Sequence, residues 1–260
     1  MKQQPTMGMN RTGVQMSPFD TSAALSGMPP SMTPATPGDE AALAEMRSSY
    51  ILNADPVGSV PVPGTVSGAL TTGASLLAGD RPQLLFDKLG ERLAFERAGT
   101  RLYDALITKF EALQDDTTSM TLADLQKIRQ EEARHFAIVA DAIETLGGDP
   151  TSQTPCADLV GVESMGLMQA VTDPRTTIAQ SLHAILVAEL TDNAGWEMLI
   201  ALVEDQGQNS LITDFSVALD EERTHLQQVQ TWFEEATLGA AISDGALVDD
   251  ISDAAPGQLH

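Results

Sequence analysis

Apolar residues recur at alternating steps of three and four in four segments of the chain, with polar residues between them. This spacing places the apolar side chains of each segment along one face of an α-helix. The four stripes run through residues 89–110, 125–146, 178–203 and 211–232. The pattern predicts four amphipathic helices whose apolar faces pack on one another.

The connections between these segments differ in length. Short polar turns near residues 114–120 and 206–210 join the first helix to the second and the third to the fourth. Helices joined by short turns become antiparallel neighbours, whereas residues 148–173 are numerous enough to run back across a bundle. We therefore predict an all-α fold over residues 81–237: a four-helix bundle of two helical hairpins joined by a long crossover.

Both ends of the chain lack this periodicity. Residues 1–80 are rich in Met, Pro, Gly, Ser and Thr, which predicts a mostly disordered arm with one short helix around residues 39–51. Residues 238–260 are rich in Gly, Ala and Asp, which predicts a flexible acidic tail.

Six positions on the apolar stripes hold an ionisable side chain where Leu, Ile or Val would be expected. They are Glu96, Glu132, His135, Glu189, Glu222 and His225. The last two residues, like Glu132 and His135, form a Glu-x-x-His pair, whose members share one helix face. Burying four ionised carboxylates together costs several kcal/mol for each group, and their mutual repulsion adds to that cost. Two divalent cations would offset both contributions, so the sequence predicts a two-metal site inside the bundle.

The competing interpretations are surface Glu and His side chains on ordinary helices, and a bundle that keeps these residues without binding metal. Two of the four histidines belong to a Glu-x-x-His pair, and each pair is preceded by a glutamate on the preceding helix. The halves of the chain also repeat each other, with Glu189 following Glu96 by 93 residues and Glu222 following Glu132 by 90. This repetition favours the metal site and a duplicated hairpin.

Composition narrows the classes of function. The net charge is −23, from 37 acidic and 14 basic residues, which disfavours nucleic acid and anionic membranes as partners. The single cysteine, Cys156, excludes an intramolecular disulfide and a cysteine-rich zinc or iron–sulfur site. No run of about 18 apolar residues is present, so we expect no membrane span and a cytoplasmic protein.

With this pattern of ligands, the chain resembles the ferritin-like di-iron carboxylate superfamily, and its helices most resemble the rubrerythrin-type branch. In that branch a tyrosine commonly follows the first glutamate at +7, as Tyr103 follows Glu96 here. A second carboxylate follows the third-helix glutamate at +3, as Asp192 follows Glu189. The resemblance covers residues 82–237.

The resemblance implies a role for each candidate residue. The two lone glutamates would be terminal ligands, the glutamates of the Glu-x-x-His pairs would bridge the metals, and each histidine would cap one metal. Tyr103 and Asp192 would act beside the metals, although core filling is the competing role for Tyr103. Asp192 is one methylene shorter than the family's usual Glu, so both metal ligation and hydrogen bonding to a ligand stay open for it.

The resemblance also implies a function: two iron ions that react with hydrogen peroxide or dioxygen, as a peroxidase or ferroxidase in oxidative-stress defence or iron handling. Two manganese ions with catalase-like peroxide dismutation, non-enzymatic iron storage and a purely structural bundle are the alternatives. Rubrerythrins carry a rubredoxin-like iron site held by four cysteines, which a single cysteine excludes here. Electrons would therefore come from an external donor of unknown identity. The sequence leaves a homo-oligomer open.

Overall fold

The computed structural model describes residues 13–27, 40–62, 68, 82–113 and 116–252, with side chains described up to residue 239. These residues form seven α-helices and contain no β-strand, which confirms the all-α prediction for them. The helices are α1 (Pro18–Gly27), α2 (Glu40–Asn53), α3 (Pro82–Leu113), α4 (Leu122–Thr145), α5 (Pro155–Thr172), α6 (Ile178–Asp205) and α7 (Ile212–Ser252). Short 3-10 turns occupy Val14–Met16 and Asn209–Leu211.

The chain divides into two compact units. The small unit, Pro5–Val57, contains α1 and α2, neither of which has a buried residue. Helix α2 confirms the short helix predicted around residues 39–51. The large unit contains α3 to α7.

Much of the predicted arm and part of the predicted tail lie outside the described residues. These undescribed residues are 1–12, 28–39, 63–67, 69–81 and 253–260. Helix α7 continues to Ser252, beyond residue 237, where the predicted bundle ends and the predicted flexible tail begins. Across the described part of the chain, no helix combines the length and the apolar character that a membrane span needs.

The large unit is built from two pairs of long helices and one intervening helix. Helix α3 packs against α4, and α6 packs against α7. The pairs meet where α3 contacts α6 and where α4 contacts α7. Helix α5 lies in the segment predicted as a crossover and packs against α3 and α6.

Side-chain caps mark the start of two of the helices that carry ligand candidates, α4 and α6. Thr121 accepts a hydrogen bond from the backbone N–H of Asp124, whose side chain accepts one from the Thr121 N–H. Thr177 and Gln180 form the same reciprocal pair at the start of α6. These capping boxes satisfy backbone donors that a helix start leaves unpaired. Gly147, with φ 86°, follows the end of α4, where a residue with a Cβ would be strained.

Two clusters of buried apolar side chains lie along the large unit, and a layer of ionisable residues separates them. The Leu106 cluster includes Leu102, Leu106, Leu125, Ile128, Leu182, Ile185, Val229 and Trp232. The Leu89 cluster includes Leu85, Leu89, Val139, Ile143, Leu199, Val203, Phe215 and Ala218.

Each long helix passes from one cluster to the other, and the order gives its direction. Helices α3 and α7 meet the Leu89 cluster first, whereas α4 and α6 meet the Leu106 cluster first. Neighbours α3 and α4 are therefore antiparallel, as are α6 and α7, whereas α4 and α6 are parallel. Because of this, the chain returns along the length of the bundle between α4 and α6, and α5 lies on that path.

Candidate metal centre

The six ligand candidates lie in the polar layer between the two apolar clusters, on four different helices. They are Glu96 on α3, Glu132 and His135 on α4, Glu189 on α6, and Glu222 and His225 on α7. None of these side chains is more than 2% exposed, which confirms their predicted inward positions. Their role as metal ligands stays a prediction.

Oxygen and nitrogen atoms of these residues and of Asp192 converge in three overlapping sets, and within each set the donor atoms lie within 4.8 Å of one another. We call the first set the Glu189 position; its members are Glu132, Glu189, Glu222 and His225. The other two sets share two glutamates, and we call them together the Glu96 position; their members are Glu96, His135 and Glu222, and Glu96, Glu132, Asp192 and Glu222. Glu222 belongs to all three sets and Glu132 to two, so these two carboxylates connect the positions.

The Nδ1 atom of each histidine faces the carboxylates. His135 Nδ1 lies 2.5 Å from Glu222 Oε1 and 3.8 Å from Glu96 Oε2. His225 Nδ1 lies 3.2 Å from Glu222 Oε2 and 3.6 Å from Glu132 Oε1. Both imidazoles therefore present one nitrogen to the space where a cation would bind.

The Nε2 atom of each histidine contacts a glutamate of the opposite hairpin. His135 Nε2 lies 2.8 Å from Glu221 Oε2, and His225 Nε2 lies 2.9 Å from Glu131 Oε2. Each of these glutamates directly precedes a ligand candidate in the sequence. A carboxylate that accepts the Nε2–H orients the ring and leaves Nδ1 free to bind a metal.

Glu131 and Glu221 contact the two candidate histidines, which the sequence did not reveal. Their carboxylates are held by cations, since Lys127 Nζ lies 2.8 Å from Glu131 and Arg134 pairs with Glu221. The available signal was a second glutamate directly before each Glu-x-x-His pair. The resulting Glu-Glu-x-x-His motif occurs in both halves of the chain. The repeat alone did not show that each glutamate contacts the other half's histidine.

Burial and mutual repulsion shape the protonation of the centre. Burial raises the pKa of Glu96, Glu189 and Asp192 well above their ordinary values, and neighbouring carboxylates add to the rise. For Glu222 burial acts in the same direction, but hydrogen bonds with both histidines outweigh it and lower the pKa to about 2. Burial disfavours protonation of His225, yet its glutamate partners raise its pKa to about 12. Protons therefore occupy the positions at which a divalent cation would compete.

The donor set fits a metal because two of its buried carboxylate oxygens have no partner in the protein. Among the described residues, Glu132 Oε2 and Glu189 Oε2 are buried without a hydrogen bond, whereas the other such atoms of the centre lie in ion pairs with Arg92 or with one another. A buried polar atom without a partner costs roughly 1–3 kcal/mol. Carboxylate oxygens and imidazole nitrogens are ligands for iron, manganese and zinc, so a pair of such ions would satisfy these atoms.

The two residues predicted beside the metals both reach the centre. Tyr103 is buried, and its hydroxyl donates a hydrogen bond to Glu189 Oε1. Tyr103 also belongs to the Leu106 cluster, so it fills the core and contacts a ligand candidate at once. Asp192 belongs to one donor set, and its Oδ1 lies 3.0 Å from Arg92 Nη1.

Glycine opens the space that Glu132 occupies. A Cβ built on Gly99 would overlap Glu132 Oε2. Gly99 lies on α3, three residues after Glu96, so a larger residue there would push Glu132 out of the centre. This close approach explains a glycine inside a long helix, where it is intrinsically unfavourable.

No protein-family model matches the chain, and neither does any curated protein or solved structure with which it was compared.

Proposed function

We propose that the large unit is a ferritin-like bundle that holds two iron ions and reacts with hydrogen peroxide or dioxygen as a peroxidase or ferroxidase. The observation that carries the proposal is the overlap of the three donor sets, which share Glu222 and Glu132. One isolated set would support a single metal ion. Overlapping sets joined by two carboxylates support two ions a few ångströms apart.

The path of the chain supports the ferritin-like arrangement. Two antiparallel pairs of helices, joined along the length of the bundle, contribute one lone glutamate and one Glu-x-x-His pair each. This is the distribution of ligands in the ferritin-like di-iron and dimanganese proteins.

A bound pair of iron ions would supply the redox chemistry, namely the electrons needed to cleave an O–O bond. Reduction of hydrogen peroxide to two water molecules consumes two electrons and two protons, and an external donor restores the electrons. As a ferroxidase, the centre would take the electrons from Fe(II) supplied as substrate. The chain provides the positions, the charge and the dry surroundings for either reaction.

The residues around the centre have distinct roles in this proposal. The carboxylates of Glu131 and Glu221 hold the two histidines in one orientation and tautomer. The Tyr103 hydroxyl, which donates to Glu189, places a proton beside a ligand. The Leu89 and Leu106 clusters exclude bulk water on either side, which strengthens electrostatic interactions within the centre.

A small oxidant suits the surroundings of the site. A surface cavity lies beside the centre, and Lys88, Glu91, Phe95 and Met198 contribute to its wall. Arg92 lines this cavity and also contacts Glu96 and Asp192. A molecule as small as hydrogen peroxide or dioxygen needs only a narrow passage past that wall.

Anaerobic loading followed by rapid mixing tests the proposal. We expect the full chain to bind two Fe(II) ions and to oxidise them faster with hydrogen peroxide than with dioxygen in stopped-flow absorption. Glu222→Gln should abolish both the binding of two ions and their oxidation. Glu234→Gln, a change at an exposed residue on the same helix, should leave binding and oxidation intact. Inertness towards both oxidants would overturn the enzymatic proposal and favour a structural bundle.

Two further measurements separate the alternatives. Metal analysis of protein from its native host distinguishes iron from manganese, and oxygen evolution from peroxide would indicate the catalase-like reaction. The mass in solution tests storage, because a monomer or dimer does not enclose a mineral core.

A further inference from the structure

Arg92 is a buried cation beside the proposed metal pair. Its side chain is 4% exposed. Its Nε lies 2.9 Å from Glu96 Oε1, and its Nη1 lies 3.0 Å from both Asp192 Oδ1 and the Asp192 carbonyl oxygen. Arg92 precedes Glu96 by one helical turn and was not a candidate from the sequence.

The protein holds this guanidinium in a shaped site. Its central carbon lies 4.5 Å from the centroid of the Phe95 ring and 5.5 Å from that of Trp196. A Cβ built on Gly195 would overlap Nη1, so glycine makes room for the charge. Two aromatic faces, two carboxylates and a backbone carbonyl surround the guanidinium, and this leaves it little freedom to move.

Arg92 changes the charge that the metals must balance. The three donor sets contain five carboxylates, from Glu96, Glu132, Glu189, Asp192 and Glu222. With one guanidinium they carry four negative charges, which equals the charge of two divalent cations beside neutral histidines. Arg92 therefore offsets one of the five carboxylates, so the negative charge of the layer matches that of two divalent cations.

The contacts of Arg92 fall on one side of the centre. Glu96 and Asp192 both belong to the Glu96 position and are absent from the Glu189 position. The one carboxylate that belongs to the Glu189 position alone, that of Glu189, has the neutral Tyr103 hydroxyl as its partner instead. A fixed positive charge at the Glu96 position repels an incoming cation and competes with it for the same carboxylate oxygens.

We propose that Arg92 is a positioning residue that makes the two metal positions unequal. It engages Asp192 Oδ1 in an ion pair and weakens the Glu96 position, so that the Glu189 position fills first. The inference rests on the two-metal centre proposed above and adds an order of filling to it.

Titration of the metal-free full chain with Co(II) under anaerobic conditions tests this order. Calorimetry and the visible absorption of Co(II) report affinity and stoichiometry without any turnover. We expect two binding steps of one ion each, with the second weaker by about tenfold or more. His225→Gln should remove the tight step, and His135→Gln should remove the weak step.

Variants at Arg92 test whether this residue makes the affinities of the two metal positions unequal. Arg92→Met should bring the two affinities to within about threefold, because the repelling charge is gone and Asp192 is free to bind metal. Arg92→Lys keeps the charge and should keep the two steps apart. Arg223→Met, which removes an exposed arginine on α7, is the matched control and should behave as the wild type.

Arg92→Met leaves a buried aspartate without its partner, so folding is checked by circular dichroism. If that variant fails to fold, Arg92→Met combined with Asp192→Asn removes both charges together. The double variant should still reduce the ratio of the two metal affinities by about threefold or more. An unchanged ratio of the two metal affinities in the folded variant would overturn the inference. Two equal steps in the wild type would overturn it while leaving the metal centre intact, whereas fewer than two bound ions would overturn both.

Discussion

His135 Nε2 lies 2.8 Å from Glu221 Oε2, although the two residues belong to different helical hairpins. A reciprocal contact joins the histidine of the second hairpin to a glutamate of the first: His225 Nε2 lies 2.9 Å from Glu131 Oε2. Each hairpin therefore supplies the carboxylate that orients the histidine of the other. The pairing couples the docking of the hairpins to the geometry of the centre.

This relationship predicts that Glu131 and Glu221 contribute to metal affinity. Glu221→Gln should weaken metal binding by about 10–100-fold while both ions still bind at saturation, because a neutral amide accepts the His135 Nε2–H more weakly than a carboxylate does. Calorimetric titration with Co(II) measures the change, and Glu234→Gln is the exposed control. Affinity equal to that of the wild type would show that the contact does not orient the ligand.

Glu132 connects the two positions and is buried among other carboxylates. Glu132→Gln should sharply lower metal occupancy, whereas the metal-free variant should keep its stability or gain roughly 1 kcal/mol, because one repelling charge is gone. Metal analysis and urea unfolding in chelator measure the two effects. A large fall in metal-free stability would contradict the repulsion among these carboxylates.

Gly99 should tolerate no side chain when metal is bound. Gly99→Ala should displace Glu132 and reduce the bound metal, although alanine is the better helix former by about 1 kcal/mol. Gly161→Ala on α5 is the matched control, since a Cβ there meets nothing within 4 Å. The control should gain roughly 0.5–1 kcal/mol of stability with unchanged metal content. Full metal content in Gly99→Ala would show that Glu132 shifts at no cost.

The metal-free protein should lose stability as the pH rises from about 6 to 9. Burial raises the pKa of Glu96, Glu189 and Asp192 well above their ordinary values, and glutamate partners raise that of His225 to about 12. The folded state then keeps protons that the unfolded chain releases. Stability is greatest below the unfolded-state pKa values and is lost as the pH climbs towards the folded ones.

For each retained proton, the free energy of unfolding should fall by roughly 1.4 kcal/mol per pH unit within that window. Glu222 acts in the opposite sense, but its pKa rises from about 2 in the folded state to 4.5 in the unfolded state, so its contribution is complete once the pH exceeds the unfolded-state value and does not change between pH 6 and 9. Urea unfolding in chelator across this range measures the slope. Saturating Zn(II) should flatten or reverse it, because bound metal replaces the protons. A metal-free protein that becomes more stable with rising pH would contradict the raised pKa values.

The crossover shows where sequence patterns stop being informative. Residues 155–172 form helix α5, yet only Ala157, Val160 and Val171 are buried on it. Leu159 and Val162 are exposed, so no single apolar stripe marked the segment as a helix. Its start is determined locally by the Thr154 cap and Pro155, whereas its packing against α3 and α6 depends on the whole bundle.

The sequence by itself determined the long helices and the six inward ionisable side chains, because both are properties of the register of a single helix. A residue whose position in the 3.6-residue period places it on the apolar face of a helix points towards the core, even when its own side chain is ionisable. Only the tertiary structure decided that Glu131 and Glu221 serve the opposite histidines and that Arg92 lies against Asp192. Those contacts depend on the distance and rotation between helices far apart in the chain, and side-chain packing sets these two quantities.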